Sequence, residues 1–201
     1  MNRKFSFEKL SDLYLKQHKS ASEIADLIDC SESGINYWLH KYEIKKRGIS
    51  DAIYFKHNPD GDPFKVKSKL NKKEAELRAL GLGIYWGEGD KSPNNTCVRL
   101  GNTDPFLIKK FREFLRNIYR VKEEKISYGL ILFNDAKKSE AINFWEKHLE
   151  IKKRQLGKIT IIPPQGKGTY KRKSKYGVLA LIFTNKKLKE KILEDIQNIY
   201  S

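Results

Sequence analysis

The segment NKKEAELRALGLGIYWGEGDK, residues 71–91, restricts the fold more than any other part of this 201-residue chain. Asn71 with Glu74 three residues later is a capping pair, and apolar residues then recur at helical spacing, which predicts a helix over residues 74–87. Glycine inside a helix costs about 1 kcal/mol relative to alanine, so its repeated use here needs a compensating contact. One ridge of the helix is almost without side chains: Ala79, Gly83 and Gly87. Such a ridge favours close approach of a second helix.

Glu88 stands at the end of this predicted helix, with a glycine on each side. A carboxylate at a helix C-terminus opposes the helix dipole, and flanking glycines let backbone or another molecule come close to it. Carboxylate oxygen is a hard ligand that suits Mg²⁺. The segment therefore predicts an exposed metal-binding acid, and it leaves open whether Asp90 is a second ligand.

The chain beyond Asp90 alternates between strand and helix patterns, which predicts the α+β class. The expected elements are a strand over 96–102, a helix over 105–119 capped by Asp104, a strand over 125–133 and a helix over 136–149. Two further apolar runs, KITIIPP and YGVLALIFTN, flank a basic turn-rich stretch and predict a hairpin with a basic tip. Asn185 and the spacing of Leu188, Ile192 and Ile196 predict a closing helix.

GLGIYWGEG, residues 81–89, resembles the LAGLIDADG motif of homing endonucleases, and the order of elements over residues 74–155 resembles the single-motif members of that family. In the family, two such helices pack through small residues, and each delivers an acid to a metal site at the base of a DNA-gripping saddle. The resemblance implies a mixed αβ saddle domain. It also implies a homodimer that cleaves double-stranded DNA with a divalent metal, Mg²⁺.

The resemblance assigns roles residue by residue. Glu88 takes the place of the metal-binding catalytic acid, Asn102 that of a polar catalytic residue and Lys152 that of the catalytic lysine. The dimer helix would pack through Ala79, Gly83 and Gly87. Some positions depart from the family pattern: Gly81 for leucine, Leu82 for alanine, Trp86 for an acidic or polar residue, and Asn102 for glutamine.

Residues 1–52 show three short helical patterns, and residues 13–48 resemble the helix-turn-helix modules attached to resolvases, phage regulators and homing endonucleases. In the second helix, Ser20 and Glu23 form a capping box, and Ile24, Leu27 and Ile28 supply the expected apolar face. In the third, inward-facing Ile35, Trp38 and Leu39 leave polar residues outward for DNA bases: Ser33, Asn36, Tyr37 and His40. Lys45, Lys46 and Arg47 follow and suit the DNA backbone. A plain three-helix adaptor with a solvated polar face is the alternative.

The net charge is +16, from 41 lysines and arginines against 25 acidic residues, and residues 1–58 contribute only +2 of it. This excess indicates a polyanionic partner, most simply nucleic acid. From residue 151 to 175 there are nine basic residues and no acidic one. Those expected to contact DNA phosphates, with a solvated loop as the alternative, are Lys153, Arg154, Lys167, Lys171, Arg172 and Lys173.

The chain therefore divides into a helix-turn-helix domain (1–52), a linker (53–70) and a LAGLIDADG-like endonuclease domain (71–201). The longest apolar run, 176–184, is too short to cross a bilayer, and the two cysteines lie far apart in no metal-binding motif, so we expect a soluble cytoplasmic, nucleoid-associated protein with no membrane partner. Two alternatives to the nuclease remain. One is a transcription regulator on a degenerate scaffold that binds DNA without cutting it. The other, splicing assistance on RNA, is disfavoured because a helix-turn-helix suits a DNA major groove.

Overall fold

The computed structural model describes residues 5–163 and 174–199, which fall into two compact units. The first unit ends at Asp62 and the second begins at Pro63. Helices and a four-stranded mixed sheet make up the described chain, which confirms the α+β class.

The boundary between the units lies inside the segment that the sequence predicts as a linker, 53–70. The first residues of that segment belong to helix α4 (Ile49–His57) of the first unit. Beyond the boundary, the backbone N–H groups of Lys65 and Lys67 donate to the carbonyls of Tyr119 and Ile118. These hydrogen bonds make residues 65–67 part of the second unit.

The first unit is helical, with α1 (Phe7–Ser11) running into a π-helical turn (Asp12–Lys16), then α2 (Ala21–Ile28), α3 (Glu32–Lys41) and α4. The predicted capping box is present at the start of α2: the Ser20 N–H donates to the Glu23 carboxylate (2.7 Å) and the Glu23 N–H to the Ser20 hydroxyl (3.1 Å). The core of the unit consists of Leu10, Tyr14, Ile24, Ala25, Ile35, Leu39 and Ile44.

Leu27 does not belong to that core, so the predicted apolar face of α2 was wrong at this position. Its side chain is 58% exposed, whereas Ala25 is buried. The reason is rotational: Ile24, Ala25 and Ile28 fall on one side of the helix, and Leu27 falls beyond its edge.

The second unit runs α5 (Lys72–Glu88), β1 (Val98–Asn102), α6 (Pro105–Asn117), β2 (Ile126–Phe133), α7 (Lys138–Leu149), β3 (Leu156–Ile162), β4 (Val178–Phe183) and α8 (Lys186–Gln197). The strand order is β1-β4-β2-β3, in which β4 is antiparallel to both β1 and β2, and β3 is parallel to β2. The helices bury their apolar residues against one face of the sheet. Alternate strand residues supply that face, as in Ile126, Tyr128, Leu130 and Leu132 of β2.

The predicted hairpin between β3 and β4 was wrong. These strands lie on opposite sides of β2 and do not pair with each other. A long connection, unlike a two-residue turn, does not force the strands it joins to be neighbours, so strand patterns alone did not determine the pairing. Four residues of the expected basic tip lie outside the described residues: Lys167, Lys171, Arg172 and Lys173.

Candidate nucleic-acid interface and acidic site

Helix α5 packs into the second unit through Gly81, Leu82 and Tyr85. A Cβ atom on Gly81 would overlap the ring of Phe114 on α6. Gly81 therefore lets α5 and α6 approach closely within one chain, and this contact explains one of the helix-interior glycines.

The opposite face of α5 is exposed and carries the predicted small-residue ridge of Ala79, Gly83 and Gly87. A Cβ on Gly83 or Gly87 would meet nothing within 4 Å, so nothing within the described chain requires glycine at either position. Leu80 and Trp86 flank the ridge and are 49% and 53% exposed. The name α5 ridge is used for all of these residues together: Ala79, Leu80, Gly83, Trp86 and Gly87. They form an apolar surface with a flat centre.

Glu88 is exposed and is the last residue of α5. Lys91 follows it, and its ammonium donates to the carbonyls of Trp86 (2.6 Å) and Gly89 (3.2 Å). A cation at the carbonyl end of a helix offsets the unfavourable placement of an acid there. Sequence reasoning missed Lys91, although its position three residues after a C-terminal glutamate was a usable signal.

Asp90 has a local role in the loop after α5. Its carboxylate accepts the Ser92 N–H (3.0 Å) and the Asn95 side-chain amide (2.6 Å). These two hydrogen bonds hold the pKa of the Asp90 carboxyl below its usual value. The Asp90 carboxylate is thus engaged in shaping the loop rather than directed outward with Glu88.

Asn102 lies near Glu88. Gly89 forms an antiparallel bridge with Leu100, and the Asp90 N–H donates to the Arg99 carbonyl (2.9 Å). The two residues directly after α5 therefore pair with β1 at its outer edge. Asn102 is the last residue of that strand, and its side-chain oxygen accepts the Asp104 N–H (2.9 Å) at the start of α6. The structure therefore brings Glu88 and Asn102 to the same edge of the sheet.

Lys152 is not brought to that edge. It precedes β3, which is the strand farthest from β1 in the sheet. Three inter-strand spacings separate the two edges, or about 14 Å. In addition, the two residues lie at different positions along β2. The side-chain amide of Gln155, three residues after Lys152, donates to the Ile126 carbonyl at the start of β2, whereas Asn102 is level with Leu130 in the middle of that strand. Within one chain, Lys152 lies apart from Glu88 and Asn102.

The described residues contain no group of three or more histidines, cysteines and acids that could together hold a metal ion. Mg²⁺ commonly takes only one or two protein carboxylates and completes its octahedron with water and phosphate oxygens. The single exposed Glu88 fits such a site only when a second carboxylate or a phosphate comes from another molecule.

The outward face of α3 is polar, as the sequence predicts. Ile35 and Leu39 are buried, and the opposite side presents Ser33, Asn36, Tyr37 and His40, of which Asn36 is half-buried. The ammonium of Lys41 lies over the Trp38 ring at 4.7 Å. This face is an array of hydrogen-bonding groups around an exposed tyrosine.

The basic residues after α3 divide into two kinds. Lys45 and Lys46 are exposed and, with His40, Lys41, Glu43 and Ile44, line a shallow cavity of about 570 Å³ at the end of the helix. Arg47 instead faces its own unit: its guanidinium donates to the carbonyls of His18 (2.7 Å) and Lys19, and stacks on the Tyr14 ring at 4.3 Å. Arg47 thus ties the segment after α3 to the segment that precedes α2.

The second face of the sheet, opposite the helices, is only partly buried. Arg99 and Lys158 are exposed on its two edge strands. The register places Gly101, Ala180 and Gly129 in one row across the sheet, and Arg99, Ile182 and Ser127 in the next row. Lys153 and Arg154 are exposed in a short helical turn just before β3. This face, with Ile182 beside the glycines and exposed basic residues on the edge strands, was not anticipated, although period-two alternation in the strands was the signal for it.

No protein-family model matches this chain, and comparisons with curated proteins and with solved structures find no similar protein. Within the described ranges, no helix is long and apolar enough to cross a membrane. By its fold, the described chain is a helical unit joined to an α+β unit.

Proposed function

We propose that this protein binds double-stranded DNA and, as a homodimer of the LAGLIDADG type, cleaves it in a reaction that depends on Mg²⁺ and Glu88. The observation that carries the proposal is the α5 ridge, an exposed apolar face with glycines that its own unit does not require, ending at an exposed glutamate. Such a protein would act in the cytoplasm, at the nucleoid.

A second copy of α5 accounts for the ridge. Gly83 and Gly87 cost helix stability, and no contact with the described part of the same chain requires them, but they would let two helices cross at short distance. A two-fold axis through the ridge is a closed, self-complementary contact. Such a pair would bring the two Glu88 carboxylates toward each other at the ends of the helices.

Two Glu88 side chains and DNA phosphates together would supply the oxygen ligands that one chain lacks. Bound Mg²⁺ would activate a water molecule and stabilise the leaving oxygen. Asn102, at the same edge of the sheet, would position water or phosphate there through its side-chain amide N–H groups, since its oxygen accepts the Asp104 N–H. The location of Lys152 favours a phosphate contact beside Lys153 and Arg154 over a role at Glu88.

DNA contacts are proposed on both units. The polar face of α3 suits base edges in the major groove, and Lys45 and Lys46 suit the flanking phosphates. On the second unit, the open sheet face with Arg99 and Lys158 would lie against the duplex. The further basic residues Lys167, Lys171, Arg172 and Lys173 add charge for phosphate contacts.

The test is cleavage of a randomised duplex library by the wild type and Glu88→Gln at low salt, with Mg²⁺ or with EDTA. Glu140→Gln, a change at an exposed acid on α7, is the matched control. Discrete Mg²⁺-dependent cuts that vanish in Glu88→Gln and persist in Glu140→Gln are the expected result. Absence of cuts by a folded, DNA-bound wild type would refute the nuclease.

A non-catalytic DNA-binding regulator is the second candidate. The separation of Lys152 from Glu88 within one chain favours it. Sequence-selective binding with equal affinity in the wild type and Glu88→Gln, without cuts, is the result that would select this function.

A further inference from the structure

We propose that Lys189, a buried lysine of α8, is a positioning residue for Glu88. The inference rests on the proposed function, since Glu88 is the acid that the proposal places at the reacting phosphate. Lys189 touches neither Glu88 nor any expected ligand, and it acts through the loop between α5 and β1.

Lys189 is only 3% exposed, and its ammonium donates to the carbonyls of Ser92 (2.6 Å) and Asn95 (2.7 Å). Burying an ammonium is costly unless acceptors replace its water. A methionine would fill similar space without that cost, so packing of α8 alone does not explain a lysine here. The two carbonyl contacts do explain it, because they fix the loop from the α8 side.

The same loop is fixed from within. The Asp90 carboxylate accepts hydrogen bonds from the Ser92 N–H and the Asn95 side-chain amide. The Tyr85 hydroxyl donates to the Asp90 carbonyl (2.9 Å). The loop begins one residue after Glu88, so a shift of the loop is transmitted directly to the end of α5. Lys189 is the contact that ties this loop to a different helix.

A direct contact between α8 and α5 lies farther along. Asp195 of α8 is 5% exposed, pairs with Arg78 of α5 (3.3 Å) and accepts the Tyr119 hydroxyl (2.6 Å). Arg78 and Glu88 are ten residues apart on α5, a rise of about 15 Å. The Asp195–Arg78 pair thus holds α5 to α8 well before Glu88, and Lys189 holds the loop that follows Glu88 to the same helix.

The test compares Lys189→Met and Lys189→Arg with Lys186→Met, which changes an exposed lysine of the same helix. Three quantities are measured: hydrogen exchange of residues 89–97, Mn²⁺ affinity by electron paramagnetic resonance with Glu88→Gln defining the specific site, and cleavage rate separately from DNA affinity. Residues that orient metal ligands typically contribute about 10- to 100-fold to metal affinity or activity. In Lys189→Met we expect faster exchange and at least a roughly tenfold loss of both Mn²⁺ affinity and cleavage, with unchanged DNA affinity. Lys189→Arg should restore part of the loss, and Lys186→Met should match the wild type.

Wild-type Mn²⁺ affinity in a folded Lys189→Met would overturn the inference while leaving the proposed metal site intact. Parallel losses of DNA affinity, metal affinity and melting temperature, without rescue by arginine, would also overturn it by showing a purely structural role. If the wild type has no Glu88-dependent Mn²⁺ site, the proposed function and this inference fall together, which is a distinct pattern. Should Lys189→Met not fold, Asn95→Ala loosens the same loop from within and is expected to shift exchange and Mn²⁺ affinity in the same direction.

Discussion

The glycines of α5 show how one residue type serves different purposes along one helix. Gly81 is needed inside the chain because a Cβ there would overlap Phe114, whereas Gly83 and Gly87 face open space. The sequence placed all of them in one helix but could not distinguish the two kinds, since the partner of Gly81 is 33 positions away on α6.

Alanine substitutions should separate the two roles. Gly81→Ala is expected to destabilise the second unit by about 1–3 kcal/mol because Phe114 must move. Gly83→Ala should instead raise the stability of the isolated chain by up to about 1 kcal/mol through helix propensity. Urea unfolding measures both. Equal destabilisation by the two substitutions would contradict the assignment.

At the same scale, Arg47 and its lysine neighbours should behave differently. Lys45→Ala and Lys46→Ala are expected to lower the salt dependence of DNA binding by about one unit of slope each, with little change in stability. Arg47→Met should lower the melting temperature of the first unit because its carbonyl and ring contacts are lost. An Arg47→Met variant with the wild-type melting temperature and a weaker salt dependence of DNA binding would show instead that Arg47 contacts DNA phosphates.

At the scale of elements, local signals predicted most of the helices and strands, but α4 was not predicted and its residues 53–57 were assigned to the linker. The capping residues Ser20, Asn71 and Asn185 all accept the hydrogen bonds expected of them, and α5, α6 and β2 lie where the periodicity indicates. The pairing of strands was not predicted. Register and strand order depend on contacts between distant residues, so the sequence could not show that β3 and β4 are separated by β2 or that Lys152 lies across the sheet from Asn102.

The α5 ridge makes an element-scale prediction. Gly83→Leu should keep the fold, because a side chain there meets nothing in its own unit, and should abolish the dimer. Sedimentation velocity at micromolar concentration, with and without DNA, measures this. Gly101→Ala, a change on the open sheet face, is the control that should leave the dimer intact. A Gly83→Leu chain that remains dimeric would remove α5 from the interface.

At the scale of the whole second unit, the buried Asp195 gives a pH dependence. Burial raises the pKa of Asp195, but hydrogen bonds from Tyr119 and Lys191 and the charge of Arg78 outweigh it, so the pKa lies below the ordinary 3.8. The contribution of the Asp195 carboxylate to the free energy of unfolding is therefore complete above the unfolded-state pKa, and it is lost as the pH falls through the folded-state pKa. As the pH falls below about 4, Asp195→Asn should show a flatter decline in unfolding free energy than the wild type or Asp135→Asn. Equal slopes in all three proteins would contradict this role for Asp195.

In the proposed enzyme two chains share one acidic site, and mixed dimers reveal whether they do. Wild type and Glu88→Gln are co-refolded in equal amounts so that chains pair at random, and the total Mg²⁺-dependent cleavage of DNA strands, nicks included, is measured against wild type alone. If both Glu88 side chains are needed, only pairs of two wild-type chains cut, and the rate falls to about one quarter. A rate of about one half would show that each chain acts alone and would contradict the shared site.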